Sequence, residues 1–244
     1  MRKLFLLPGF RAAGLMIALL LSGCPTTVQS TPEAAKAVES GQALPPAVTV
    51  FFGDDAAKLA KGPEGGAALA YVNPNAQWSN YTKIQLQPVE FWAAADSKVS
   101  DSDQQMLTAY FDNKLREDLA KSFKLVDQPG PDVLTLRVAL MDATTATPGL
   151  RSVSVIVPQA RVLNGIQSLA TGSYAFVGSA EGEMQARDST SGQLLAGAVD
   201  QRAGGLGLKG AASFRWGDAE NTMDYWAQRI TNRLLELQGK RAES

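Results

Sequence analysis

The stretch Val133-Leu-Thr-Leu-Arg-Val-Ala-Leu-Met141 has the clearest two-residue period in the chain. Its even-numbered apolar side chains would share one face, namely Leu134, Leu136, Val138 and Leu140. Thr135 and Arg137 would lie on the other face. Because side chains alternate between the two faces of a strand, this pattern predicts a β-strand with one buried face.

Other segments predict further strands of the same sheet. Thr82–Phe91 alternates in the same way, with Pro88 marking an edge or a bulge, and Phe123–Val126 is a short strand that ends in a turn. Phe176–Arg187 and Leu194–Arg202 flank a loop of turn-forming residues and predict a hairpin. The small residues on one face of the first hairpin strand would let a helix pack closely.

Two segments predict helices long enough to cover this sheet. Ser100 is placed as an N-cap for a helix that runs to about Lys121, with an apolar stripe at four-residue spacing. The last helix is predicted from about Asp218 to Gln238, also with one apolar face.

These elements predict an α+β fold in a single domain, with a mixed, mostly antiparallel sheet and two main helices packed on it. The domain would cover residues 48–244. A signal peptide over residues 1–23 and a flexible tether over residues 24–47, rich in Pro and Thr, would precede it. Residues 148–174 form an insert that the pattern assigns to no element.

The N-terminus has the charge and hydropathy of a secretory signal. Three basic residues lie within the first eleven, and Ala12–Leu21 is an apolar run too short to span a bilayer. The run ends in Leu21-Ser-Gly-Cys24, which resembles the lipobox of bacterial lipoproteins. That resemblance implies that Cys24 is lipidated and that its acyl chains hold the protein on a membrane. Pro25, where Asp usually signals inner-membrane retention, favours the outer membrane, with the domain in the periplasm.

The composition excludes several classes of chemistry. The chain has no histidine and one cysteine, which excludes a Ser-His-Asp triad, a Cys-His pair and the usual zinc sites. Without the signal, 20 basic and 24 acidic residues give a net charge of about −4, so nucleic acid is not an expected partner. We expect no metal, no cofactor and no catalytic residue.

Two motifs have both a functional and a purely structural interpretation. The glycines of 205–210 have the spacing of a dinucleotide-binding turn, but no strand leads directly into them and no helix opens within them, so we expect no nucleotide. Glu181 and Glu183 share one strand face, and paired carboxylates can act as acid and base on sugars. The ordinary interpretation of this pair is a solvated face of the hairpin.

Several short motifs together resemble an uncharacterised family of proteobacterial lipoproteins, domain of unknown function 3313. The resemblance covers roughly residues 50 to 237 and implies an envelope lipoprotein with no known activity. The motifs are Tyr71-Val-Asn-Pro74, Trp78-Ser-Asn-Tyr81, Pro129-Gly-Pro-Asp-Val-Leu134, Asp188-Ser189 with Gly192, Trp216-Gly-Asp-Ala219 and Trp226-Ala227.

Two functions follow as hypotheses. The favoured one is a non-catalytic, membrane-anchored module that binds an envelope protein or a cell-wall component. The alternative is a carboxylate-dependent hydrolase of envelope polysaccharide that uses Glu181 and Glu183. A partner surface is predicted in the segments that core packing does not explain, although the insert could equally supply another core element. The residues of this candidate surface are Ile156, Val157, Lys209, Phe214 and Arg215.

Overall fold

The computed structural model describes residues 28–30, 32–93, 99–141, 179–203 and 216–240. Within these residues, nine strands form one mixed sheet that carries helices on both faces, which confirms the α+β prediction. The strands are β1 (Val28–Ser30), β2 (Ala60–Lys61), β3 (Leu69–Val72), β4 (Lys83–Leu86), β5 (Glu90–Trp92), β6 (Lys124–Leu125), β7 (Val133–Met141), β8 (Ser179–Asp188) and β9 (Leu194–Ala203). The helices are α1 (Glu33–Ser40), α2 (Pro46–Phe52), α3 (Asp101–Ala120) and α4 (Trp216–Leu237), with short 3-10 helices at Gly53–Lys58 and Trp78–Asn80.

The strand order is β2-β3-β9-β8-β7-β4-β6, with β1 beside β9 and β5 beside β7. The central strand β7 pairs antiparallel with β8 and parallel with both β4 and β5. The segment predicted as one strand over residues 82–91 is therefore two short strands, separated by a break that contains Pro88. Proline cannot donate to the ladder, which accounts for the break at this position.

One face of the sheet is covered by α3 and α4, as predicted. Ser100 caps α3, its Oγ accepting a hydrogen bond of 3.3 Å from the backbone N–H of Asp103. The rings of Phe111 in α3 and Trp226 in α4 lie 6.1 Å apart and join the two helices over the apolar face of β7. The core on this side contains the four predicted β7 residues Leu134, Leu136, Val138 and Leu140.

The opposite face is covered by residues 33–58, which we call the N-terminal layer. It comprises α1, α2 and the first 3-10 helix, and it differs from the predicted flexible tether over residues 24–47 and from a domain start at residue 48. Ala34 is 0% exposed, and Phe51 and Phe52 are 3% and 2% exposed. These side chains bury an apolar stripe against Leu69 and Val199 of the sheet, so this part of the chain folds with the domain.

Two glycines on adjacent strands allow the helical layers to approach closely. A Cβ at Gly182 of β8 would lie 3.1 Å from the Trp226 ring of α4, as the small-residue pattern of this strand predicts. A Cβ at Gly197 of β9 would lie 2.7 Å from Cε1 of Phe52, on the side of the N-terminal layer. A Cβ at Gly197 would force the Phe52 ring to shift, and a Cβ at Gly182 would be tight against Trp226, so glycine at both positions allows this close packing.

None of the helices in the described ranges has the length and apolar character needed to cross a membrane.

Candidate functional site

A cleft with a volume of about 180 Å³ lies between α4 and the sheet. Its floor is made of small apolar side chains of β3 and β9, with Ala70 opposite Ala198 and Val72 opposite Ala196. Because residues opposite each other in an antiparallel pair point to the same face, these four side chains form one continuous apolar strip.

The wall of the cleft is one face of α4. Its apolar lining residues recur at helical spacing, and they are Trp226, Ile230, Leu234 and Leu237. Trp226 and Leu234 are buried, whereas Ile230 and Leu237 are only partly buried. Ala70 and Ala198 on the floor are also partly exposed. Solvent therefore reaches an apolar surface between the helix and the sheet.

One end of the cleft holds a fixed polar cluster. Arg202 Nε donates to Asp200 Oδ2 at 2.9 Å, and Trp226 Nε1 donates to the same oxygen at 2.9 Å. Arg202 Nη2 donates to the Tyr225 hydroxyl at 2.8 Å, and its guanidinium carbon lies 4.2 Å from the centre of the Tyr225 ring. These contacts satisfy the buried charges and hold α4 against β9.

Two further arginines of α4 line the rim of the cleft. Arg233 lies 2.9 Å and Arg229 3.7 Å from the carboxylate of Glu236. Their side chains are 45% and 40% exposed. Since two guanidinium groups share one carboxylate, the rim of the cleft carries a positive charge, although the mature chain as a whole is acidic.

The carboxylates of Glu181 and Glu183 lie on the other face of the sheet, and they do not form the solvated face that was expected. Glu183 is 1% exposed, and both of its oxygens lack a hydrogen-bond partner among the described residues. Burial, with the neighbouring Glu181 as a second cause, raises the pKa of Glu183 well above its usual range. Burial also raises the pKa of Glu181 to about 7, with smaller contributions from Glu33 and Asp200.

The N-terminal layer is the physical reason that this face of the sheet is not solvated. Gln185 on the same strand face donates its side-chain N–H to the backbone carbonyl of Phe51 in α2, and Arg137 donates to that carbonyl at 3.3 Å. A flexible tether would leave this face of the sheet exposed to solvent, whereas the folded N-terminal layer covers it. A polysaccharide cannot reach Glu183 through this layer, so the geometry gives no support to the hydrolase alternative.

Other sequence-derived sites are untested by the geometry. Cys24, Ile156, Val157, Lys209, Phe214 and Arg215 lie outside the described residues, as do the insert 148–174 and the glycines of 205–210. They stay predictions. Across the residues that the structure does describe, no three His, Cys, Asp or Glu side chains are grouped to hold a metal ion.

Comparison with known proteins identifies a family of unknown function. Residues 51–230 match the model of a family described as protein of unknown function (DUF3313). A search of curated proteins found no match.

Three solved structures show a distant likeness. A PelC dodecamer from Paraburkholderia phytofirmans is 12% identical over 70% of this chain and 96% of that chain, with a TM-score of 0.33. A candidate lipoprotein from Caulobacter crescentus CB15 is 11% identical over 67% of this chain and 93% of that chain, with a TM-score of 0.29. A DUF4136 family protein from Bacteroides thetaiotaomicron is 12% identical over 66% of this chain and 95% of that chain, with a TM-score of 0.33. At these scores the likeness supports no inference about ligand, assembly or activity.

Proposed function

Because the chain belongs to the DUF3313 family of proteins of unknown function, we propose that it is a lipid-anchored protein of the bacterial envelope that acts by binding and not by catalysis. Its binding site is the cleft between α4 and β3–β9, and its ligand is an apolar component of the envelope. The observation that carries this proposal is the apolar strip beneath α4, in which Ala70, Val72 and Ala198 are partly exposed and Ala196 is buried between them.

Core packing does not account for the solvent exposure of this apolar strip, whereas a bound ligand would account for it. The two cores on either side of the sheet are already closed by α3 and α4 on one face and by the N-terminal layer on the other. Concave apolar surfaces with a few converging polar groups are the usual form of ligand sites. The cleft has both features, with an alanine-rich floor and the arginines of α4 at its rim.

The anchor is supported by the signal pattern that ends in Leu21-Ser-Gly-Cys24. Two or three acyl chains on Cys24 would hold the protein stably, because one chain gives only reversible binding. Pro25 favours the outer membrane over the inner one, and the domain would face the periplasm.

Replacing the anchoring cysteine tests the localisation. Cys24→Ser should abolish incorporation of a fatty-acid probe and shift the protein from the membrane fraction to a soluble or unprocessed form, because no thiol remains to be acylated. Metabolic labelling followed by fractionation measures both effects. Label that persists in Cys24→Ser would contradict the anchor.

Crosslinking in living cells tests the binding site. A photoreactive residue at Ile230, which lines the cleft, should capture an envelope component. The matched control is a photoreactive residue at Gln228, which is exposed on the same helix and does not line the cleft. Equal capture from the two positions would argue against the cleft as the site.

A further inference from the structure

We infer that the ligand of this cleft is a single-chain anionic amphiphile drawn from the membrane that holds the protein: an acyl chain that ends in a phosphate or carboxylate group. The inference rests on the proposed function and adds the chemistry of the ligand. Three observations carry it, namely the size of the cleft, the charge of its rim and the position of β1.

The size of the cleft fits a slender ligand. Its volume of about 180 Å³ is smaller than the roughly 300–1,000 Å³ of pockets that enclose drug-sized molecules. Its floor follows β3 and β9 and is bounded on one side by α4. One acyl chain can lie along Ala198 and Ala196 against Ile230 and Leu237, whereas a sugar ring would find few polar partners there.

The charge of the rim selects an anionic head group. Arg202 already donates hydrogen bonds to Asp200 and Tyr225, so its main role is to position α4. Among the residues that the structure describes, the carboxylate of Glu236 is the one ion-pair partner of Arg229 and Arg233, and Arg229 lies at the longer distance of 3.7 Å. A phosphate or carboxylate beside these guanidinium groups would gain charge-assisted hydrogen bonds.

The position of β1 places the membrane near this cleft. In the sheet, Val28 is paired with Ala203 and Gln29 with Arg202, at the end of β9 where the polar cluster lies. Cys24 precedes Val28 by four residues, which span at most about 14 Å. The acylated cysteine therefore holds the lipid surface close to the end of the cleft that contains Arg202 and Tyr225.

Calorimetric titration tests the inference. The protein is the whole mature chain, residues 24–244, with Cys24→Ser so that no acyl chain of its own competes. We expect dodecyl phosphate, used below its micelle concentration, to bind with one-to-one stoichiometry and about tenfold more tightly than dodecanol, as expected of one added charge-assisted contact. Lysophosphatidylglycerol should bind like dodecyl phosphate, and inorganic phosphate should not bind measurably.

Variants assign the binding to the cleft. Ala198→Leu fills the floor and should abolish binding of both dodecyl compounds, with Ala198→Val as a smaller substitute if the thermal melt of the leucine variant shifts. The double substitution Arg229→Gln with Arg233→Gln should remove the tenfold preference for the phosphate and retain dodecanol binding. Arg116→Gln, which removes an α3 arginine that does not line the cleft, should change neither.

The outcomes separate the two proposals. Equal affinity for dodecyl phosphate and dodecanol, or binding that survives the Ala198 substitution, would overturn the inference. Binding of dodecyl phosphate without lysophosphatidylglycerol would overturn the membrane source. Absence of amphiphile binding while Ile230 still captures a component in cells would overturn the inference and leave the proposed function standing. Loss of both signals would overturn both.

Discussion

Replacing Glu183 with methionine should raise the free energy of unfolding by about 1–3 kcal/mol at pH 6, and by more at pH 8. The carboxylate is 1% exposed, and neither oxygen has a hydrogen-bond partner within the described part of the chain. Methionine has a similar length and no group that requires a partner. The substitution therefore removes a buried unsatisfied group from between the sheet and the N-terminal layer.

The pH dependence follows from the direction of the shifts. Burial raises the pKa of Glu183 well above the usual carboxyl value of 4.5. It raises the pKa of Glu181 from that value to about 7. A group whose pKa is raised on folding stabilises the folded state fully below its unfolded pKa, and this stability is lost as the pH rises through the folded pKa. The wild-type protein should thus lose stability from about pH 4.5 to pH 7 through Glu181, and from about pH 4.5 up to the still higher folded pKa of Glu183 through that group. Glu183→Met should flatten this decline.

Urea denaturation at pH 5, 6 and 8, followed by tryptophan fluorescence, measures the effect. Glu64→Gln, which removes an exposed carboxyl from the β2–β3 loop, is the matched control and should leave both stability and its pH dependence unchanged. A Glu183→Met protein that is less stable than wild type at every pH would show that the Glu183 carboxyl group stabilises the fold and is not an unsatisfied buried group.

Replacing Arg137 with methionine should have a large effect in the opposite direction, a loss of about 3 kcal/mol. Arg137 makes a bidentate ion pair with Glu90, with Nε–Oε1 at 2.7 Å and Nη2–Oε2 at 2.8 Å. Its guanidinium carbon also lies 4.4 Å from the centre of the Phe51 ring. Without the arginine, the Glu90 carboxylate, which is 8% exposed, would keep one donor among the described residues, the neutral Trp92 Nε1 at 2.7 Å.

Two further variants show whether the lost ion pair is the cause. Adding Glu90→Gln to Arg137→Met should restore part of the stability, since the buried charge is then gone as well. Arg116→Met breaks the exposed helical pair with Asp112 and should cost less than about 1 kcal/mol. If Arg116→Met and Arg137→Met have equal unfolding midpoints in urea, the ion pair between Arg137 of β7 and Glu90 of β5 does not stabilise the fold.

Strand β7, the β8–β9 hairpin and the two long helices could be predicted because their patterns are strong and local, whereas the short strands β1, β2 and β3 were not predicted. The period of two in Val133–Met141 gave both the bounds of β7 and its face toward α3 and α4. Ser100 marked the start of α3 by its side-chain chemistry. In each case one segment contains the whole signal, so no knowledge of its neighbours is needed.

The N-terminal layer was missed because its pattern is short and its composition is that of a linker. Residues 33–40 contain three buried alanines but no large apolar side chain apart from Val38, and the next helix begins with the prolines Pro45 and Pro46. Burial here depends on the sheet face beneath it, where Gln185 and Arg137 meet the end of α2. The adjacent Phe51 and Phe52 were the signal that could have indicated a packed segment.

The cleft could not be predicted because its residues look like core residues in the sequence. Ala196 and Ala198 alternate as any strand does, and Ile230 and Leu237 continue the apolar stripe of α4. Whether these side chains meet others or leave a gap depends on how α4 lies across β9, which no local pattern contains. Arg229 and Arg233, four residues apart beside that stripe, were the one sequence signal of an anionic ligand.

The most direct test of the central claim, that the cleft beside α4 is where this protein binds its ligand, is crosslinking in cells from Ile230 with and without Ala198→Leu. If the ligand binds in the cleft, Ile230 should capture an envelope component, Ala198→Leu should remove the captured band at an unchanged protein level, and Gln228 should capture nothing comparable. Capture from Ile230 that is unchanged by Ala198→Leu would contradict the claim, because a ligand that contacts α4 without using the floor of the cleft is not bound in it.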